Sequence, residues 1–391
     1  MTSRTHLYLS SNFWDGLWII QQPIANEIAR HEPVLYVERF VSFFTVLRYP
    51  RLWRRLFTWL RGPRSISPTL RLLAPIPLFH LGHRFPWLFR LEFALQRRWI
   101  LWWARRDRRG HRILWMDNPL YEYAIGTMGE TLAVYHVADE ITAFSSSHPE
   151  IVAELEIEML QKVDVVFAAA ESLANDKRRW QPRTYAIWNA IDTGAFAKHQ
   201  RTSLPDLRAI PEPRVAFVGS LSPWVDLDLI ALAASRLPNL HFVVVGPSYT
   251  DERALDGLMN VHRLGPRDRM AVPEILRQCS ASLVPFKKNR LTERVVPLKV
   301  FEALAAGILP VCTDFSPDLE PLERDGYLVV GRTPEEFVRR LQRAVAADSP
   351  SVRQRLTAYG RQQTWEARWT QMRGFLADAS LQDVTTPMGT A

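Results

Sequence analysis

The chain has 391 residues, more than one hydrophobic core usually organises, so two domains of roughly 100–200 residues each are expected. Hydrophobic residues at 47% and charged residues at 23% exclude a disordered or fibrous protein. A formal charge of +8 points to an anionic partner, and the position of that charge along the chain decides which kind.

The N-terminal stretch MTSRTHLYLSSNFW is too short in apolar residues for a signal peptide, and no window reaches about 18 uninterrupted apolar residues. The chain is therefore expected to be neither exported nor membrane-spanning. THLYLS reads as a first strand and EPVLYVERF as a second. From Arg48 to Arg109 there are fifteen arginines, no lysine and only two acids, Glu92 and Asp107. Trp53, Phe57, Trp59, Phe79, Phe85, Trp87, Phe89, Phe93, Trp99, Trp102 and Trp103 are interleaved with them. Arginine is attracted to lipid phosphates and tryptophan settles at headgroup level, each basic residue near the surface contributing about 1 kcal/mol. The segment, about 45–110, reads as an insert that associates with an anionic membrane surface. The alternative is a solvated basic face whose aromatics pack inward. No RNP, zinc-finger or helix-turn-helix signature accompanies it, so nucleic acid is not the expected partner.

HRILWMD, TLAVYHV, VDVVFAA and TYAIWNA continue the first series of strands. The stretch DTGAFAKHQRTSLPDLRAIPEPR has three prolines and no periodicity, so it reads as a linker with a domain boundary near 200: residues 1–198, then 199–365. PRVAFVGS, LHFVVVGP, NVHRLG, ASLVPF, GILPVCTD and GYLVV form a second series, alternating with helical patterns such as DLDLIALAASRLP. Near-continuous apolar strands imply parallel sheets covered by helices on both faces, hence two Rossmann-like α/β domains. The segment from Ser351 to Ser380 is a long helical pattern, with 366–380 as a final helix and 381–391 as a disordered tail. Cys279 and Cys312 lie in apolar runs without metal-ligand spacing, which favours core positions and a reducing cytoplasm.

The sharpest motif is VVPLKVFEALAAGILPVCTD, Val295 to Asp314. Pro297 opens a helix whose unpaired N–H groups and positive dipole end suit a diphosphate. Glu302, about one turn inward, is placed to accept hydrogen bonds from a ribose diol. Gly307 ends the helix in the left-handed conformation before the next strand.

On this segment, with Asn289, Leu291 and Thr292 before it, the sequence resembles the GT-B glycosyltransferases, in particular a retaining bacterial group that assembles surface polysaccharides and related glycans. The resemblance implies a nucleotide-sugar-binding second domain facing an acceptor-binding first domain across a cleft, with a C-terminal helix crossing back. It places Glu302 on the ribose. A first glutamate is implied eight positions earlier, where this chain has Arg294 with Glu293 beside it. RVAFVGSLSPWVDLDLI is similar to the first strand, turn and helix of the donor domain, bringing Gly219, Ser220 and Asp226 to phosphate. No Arg or Lys stands in that loop, so diphosphate neutralisation falls to Arg290, Arg294, Lys299 and the N–H groups after Pro297 and Leu298. FVVVGP brings Gly246 to the site, and Arg267 walls the base. In the first domain SSNFWDGLWIIQQPIANEIAR resembles the opening loop that faces acceptor and donor sugar, here Asp15, Gly16 and Trp18. LAVYHVADEITAF resembles a strand ending in catalytic polar residues, here His136, Asp139 and Glu140. IWNAIDTGAF resembles the family's link between domains.

The resulting expectation is sugar transfer from a nucleotide-sugar to a glycan or lipid-linked acceptor at the cytoplasmic face of the plasma membrane. Leaving-group charge is met by the helix start and basic side chains, so neither metal nor other cofactor is expected. Asp139 is the first choice for acceptor activation, with Glu140, His136 and Asp15 behind it. Each has a plainer reading: Asp139 as a helix cap, His136 as a packed strand residue, Lys299 and the arginines as solvated charge, Trp14 and Trp18 as packing. An epimerase and an inactive scaffold share the fold class and stay open.

Overall fold

The computed structural model describes residues 4–16, 18–77, 85–105, 110–143, 149–192, 194, 196 and 204–385. The chain divides into two compact units, Met1–Ile187 with Arg368–Ala391, and Trp188–Ala367.

The first unit is built on β1 (Thr5–Leu9), β2 (Val34–Val37), β3 (Arg64–Ser65), β4 (Leu70–Leu73), β5 (Arg112–Met116), β6 (Leu132–Val137), β7 (Val165–Ala168) and β8 (Thr184–Ala186). Its helices are α1 (Gln21–Ala29), α2 (Phe43–Arg48), α3 (Arg54–Arg61), α4 (Pro86–Ala104), α5 (Pro149–Lys162) and α6 (Glu171–Arg178). The strands run in the order β3-β4-β2-β1-β5-β6-β7-β8. Every neighbouring pair is parallel except β3 with β4. Strand β1 is buried along its whole length, as a parallel strand covered on both faces must be. Tyr8 stacks between Tyr36 and Trp115, with ring centroids 5.4 and 6.0 Å away, so adjacent strands lock together through aromatic area as well as hydrogen bonds.

The second unit holds α7 (Pro205–Arg208), β9 (Arg214–Val218), α8 (Leu227–Arg236), β10 (His241–Val245), β11 (Val261–Gly265), α9 (Val272–Arg277), β12 (Ala281–Val284), α10 (Leu298–Ala306), β13 (Leu309–Thr313), α11 (Glu320–Arg324), β14 (Val329–Gly331), α12 (Pro334–Ala346) and α13 (Pro350–Gly360). Its six strands are all parallel in the order β11-β10-β9-β12-β13-β14. Helix α14 (Trp365–Thr385) starts in this unit and ends in the first. There Trp369 approaches His6 and Trp115, and Phe375 stacks on Tyr185 at 3.7 Å.

Several expectations change. The division falls at Ile187 rather than near 200, because Ile191 and Phe196 pack into the core of the second unit. The prolines of the expected linker include the start of α7, whose Leu207 is buried. The arginine-rich stretch is not a plain insert: Leu70–Leu73 enters the sheet beside β2, its alternation hidden by Arg71. The long C-terminal helical pattern is two helices separated at 361–364, and α14 continues to Thr385, into the expected tail. Residues 386–391, like Phe79, Asp107 and part of the linker, lie outside the described residues. Both cysteines are free and buried.

Candidate functional site

In an open parallel sheet, ligands sit beyond the carboxyl ends of the strands where the strand order reverses. In the second unit that point lies between β9 and β12, and the Lys299 side chain reaches it. Its Nζ is 4.4 Å from the Phe217 ring centroid at the end of β9 and 4.7 Å from that of Phe286 just after β12. No carboxylate pairs with it among the described residues. Desolvation lowers its pKa to about 8, against the pull of Glu302. Two aromatic faces contribute about 0.5–2 kcal/mol each, whereas taking an ammonium out of water costs several kcal/mol. Lys299 is only half-buried, so the two rings offset part of that cost and leave the ammonium without a counter-charge, open to an anion.

Backbone geometry keeps this position open. Gly219 follows β9 with φ +139°, and a Cβ there would lie 2.9 Å from the Lys299 Nζ. Gly246 follows β10 with φ +145°, and its Cβ would meet the Gly219 carbonyl oxygen at 2.0 Å. Both turns thus require glycine. Pro297 stands before α10 with extended ψ of 141°, no side chain caps the first turn, and Gly307 ends the helix at φ +83°. One turn along from Lys299, burial raises the Glu302 pKa while Arg269 and Lys299 pull it down. The Arg269 guanidinium itself hydrogen-bonds Asp192. Arg269 was not anticipated; Arg267, which was, is ion-paired to Asp206.

Other expected donor residues have structural duties. The Asp226 carboxylate caps α8 by accepting from the Leu229 N–H at 3.0 Å. The Thr292 hydroxyl donates to the Lys287 carbonyl at 2.6 Å and accepts from the Asn289 N–H at 3.0 Å, shaping the loop before α10. Arg290 is exposed in that loop, and Arg294 lies half-buried in its final turn, as Ser220 does beside Gly219. Leu298 opens α10.

In the first unit, Asp139 stands half-buried past the end of β6, and desolvation raises its carboxyl to about 6. It has no hydrogen-bond partner among the described residues. Glu140 is different: its Oε1 accepts from the Thr142 hydroxyl at 2.5 Å and its Oε2 is 3.8 Å from the Lys177 Nζ, which is also 2.8 Å from Glu156. That buried cluster occupies Glu140. His136 lies within β6, its Nδ1 2.9 Å from the Tyr8 hydroxyl, and burial lowers its pKa to about 4, so the ring is neutral. Asp15 is exposed, with both carboxylate oxygens 2.9 Å from Arg64. The Gly16 N–H closes a turn onto the Phe13 carbonyl, and Trp18 packs edge-on against Trp14 at 5.3 Å.

Asp117 escaped the sequence reading although it ends HRILWMD. It sits just beyond β5, where this sheet's order reverses, accepting from the Ser10 hydroxyl at 2.8 Å and the Ser11 N–H at 2.7 Å. Burial outweighs those bonds and raises it to about 6. The strand-end rule alone would have flagged it.

Two Rossmann-like units, each with unpaired titratable groups at strand ends, and a terminal helix returning to the first unit define a GT-B fold. Residues 212–347 match the family described as glycosyl transferases group 1. A putative teichuronic acid biosynthesis glycosyltransferase of Bacillus subtilis (strain 168), TuaH, is 24% identical over 282 residues, 66% of this chain and 70% of that protein. Among solved structures, sucrose-phosphate synthase from Thermosynechococcus elongatus superposes with TM-score 0.70 at 15% identity, covering 98% of this chain and 100% of that one. HepE of Anabaena, in complex with UDP and glucose, gives 0.65 at 14% identity, covering 96% and 100%. The family match falls within the second unit, and the two-domain GT-B fold is the one these solved structures share.

Proposed function

We propose that this enzyme moves a sugar, with retention and without a metal, from a nucleotide-sugar to a glycan or lipid-linked acceptor at an anionic membrane surface. The observation that carries the reading is Lys299, unpaired between Phe217 and Phe286 at the strand-order reversal of the second sheet. A diphosphate there gains the ammonium and the first turn of α10, while Glu302 takes the ribose. HepE was solved with UDP and glucose, which makes UDP the first nucleotide to try. TuaH is named for teichuronic acid biosynthesis, which supports a surface-polysaccharide acceptor.

A thermal-shift screen against UDP, GDP, ADP, CMP and dTDP without metal tests the donor half. One nucleotide is expected to stabilise the protein, by about 2.7 kcal/mol at a hundredfold excess over its Kd, and Glu302→Ala is expected to abolish the shift. A shift unchanged in Glu302→Ala would remove that residue from the site.

The membrane half rests on two helices. Trp87, Leu91, Leu95 and Trp102 are exposed along one face of α4, and Trp53, Phe57 and Leu60 along α3, with Arg54 and Arg61 beside them. No described helix is long and apolar enough to cross a membrane, so these stripes would lie in the interface. Co-sedimentation with phosphatidylglycerol vesicles at low salt is expected, and Trp87→Ser with Leu91→Ser should reduce it at least tenfold. Equal sedimentation with neutral vesicles would overturn the electrostatic part. One observation favours an inactive scaffold instead, the arginine at 294 where the resemblance implies a carboxylate; nucleotide release from the donor decides between them.

A further inference from the structure

The first unit contains a pocket of about 1190 Å³ lined from the ends of β1 and β2, from β4 and from α2 and α3. Its position at the carboxyl edge of a parallel sheet is where a ligand belongs. Five arginines line it: Arg39, Arg51, Arg54, Arg55 and Arg64, against two acids, Glu38 and Asp15. The acids are already matched, Glu38 to Arg55 at 3.0 Å and Asp15 to Arg64 at 2.9 Å. Arg39, Arg51 and Arg54 have no carboxylate partner among the described residues, so the pocket carries a surplus of three positive charges. Arg55 is buried with its Nε lacking any acceptor. Guanidinium groups clustered without counter-charge repel one another, and a phosphate, which takes two of them through paired N–H bonds, relieves that repulsion.

The walls identify what the phosphate is attached to. Phe57 lines the pocket and is 58% exposed, and it belongs to the apolar stripe that Trp53 and Leu60 continue along α3. A ligand seated on the arginines therefore meets apolar surface on leaving them.

We infer that this pocket binds the phosphate or diphosphate end of a long-chain lipid, whose hydrocarbon leaves along the exposed face of α3. The inference rests on the transferase reading only in making that lipid the acceptor; the pocket's chemistry stands without it.

The test is isothermal titration of the full-length protein with geranyl diphosphate and, separately, inorganic pyrophosphate, both with UDP present to fill the donor site. Geranyl diphosphate is expected to bind more tightly than pyrophosphate. Arg51→Gln with Arg54→Gln, both exposed positions, should weaken both ligands at least tenfold. Phe57→Ser should weaken only geranyl diphosphate. No binding of either ligand to the unaltered protein, or binding indifferent to the arginine substitutions, overturns the site. Equal affinity for the two ligands overturns the lipid and leaves an anion pocket. Titrating UDP, GDP, ADP, CMP and dTDP singly into the same proteins reads the donor site, so binding of none of them would defeat the transferase reading while the geranyl diphosphate result still judges the pocket.

Discussion

Replacing Lys299 by methionine is expected to lower kcat/KM for sugar transfer by about 10²–10³-fold, the usual cost of one preorganised group facing transition-state charge. Methionine keeps the length and the contact with Phe217 and Phe286 but removes the ammonium. The assay is nucleoside diphosphate release from the donor whose nucleotide stabilises the protein. A pH series separates charge from packing. Lys299 is held at about 8 by burial, and a bound diphosphate favours its charged form. Affinity for the nucleotide is therefore full below pH 8 and falls, by up to about tenfold per unit, as pH rises beyond it. Lys299→Arg, which stays charged throughout, is expected to flatten that decline. A steep decline persisting in the arginine variant would assign the titration to another group.

The second large effect is expected at Asp139. Asp139→Asn should reduce turnover by about 10²–10⁴-fold, the range for loss of a positioned proton acceptor, with nucleotide affinity unchanged because the donor residues belong to the other unit. In the unaltered enzyme, activity should climb as pH rises through about 6, where the carboxyl ionises. The stability sign is opposite. A carboxyl whose folded pKa lies above its unfolded value of about 3.9 costs stability that grows as pH rises from near 4 to 6 and persists above. The asparagine variant should accordingly melt higher than the parent at pH 7 while turning over more slowly. Lower activity with a lower melting temperature would mean that Asp139 supports the fold rather than the reaction.

Features encoded in a few consecutive residues were legible in the sequence. Pro297 and Gly307 bound α10 because one fixes φ and the other tolerates a left-handed φ, and both effects are local. Glu302 followed from its place one turn into the helix, and Lys299 from the family resemblance. Tertiary pairing was hidden. Nothing near Glu140 announces that Lys177, on α6, will reach it together with Glu156. Nothing beside Arg267 indicates that its partner is Asp206 while the charge acting on Glu302 is that of Arg269. Asp226 was placed at the donor site by the family resemblance alone, whereas a carboxylate just before a helix is by its own chemistry an N-cap, and it accepts from the Leu229 N–H. In the arginine-rich stretch composition masked a strand: β4 alternates correctly, but Arg71 and the surrounding charge drew attention to its surface. Arg55, one of a long series of arginines, turns inward to Glu38, a direction that only its place on α3 reveals.

The route of α14 bears on how the molecule is made. Trp369 completes a cluster with His6 and Trp115, and Phe375 covers Tyr185, so the first unit borrows its last wall from the far end of the polypeptide. During synthesis the first sheet emerges with Trp115, Phe167 and Tyr185 uncovered until Trp369 and Phe375 follow the whole of the second unit. The second unit, contiguous from Trp188 to Ala367, can close before it. Domains generally fold in their order of synthesis; here the first unit is completed only by residues made after the second.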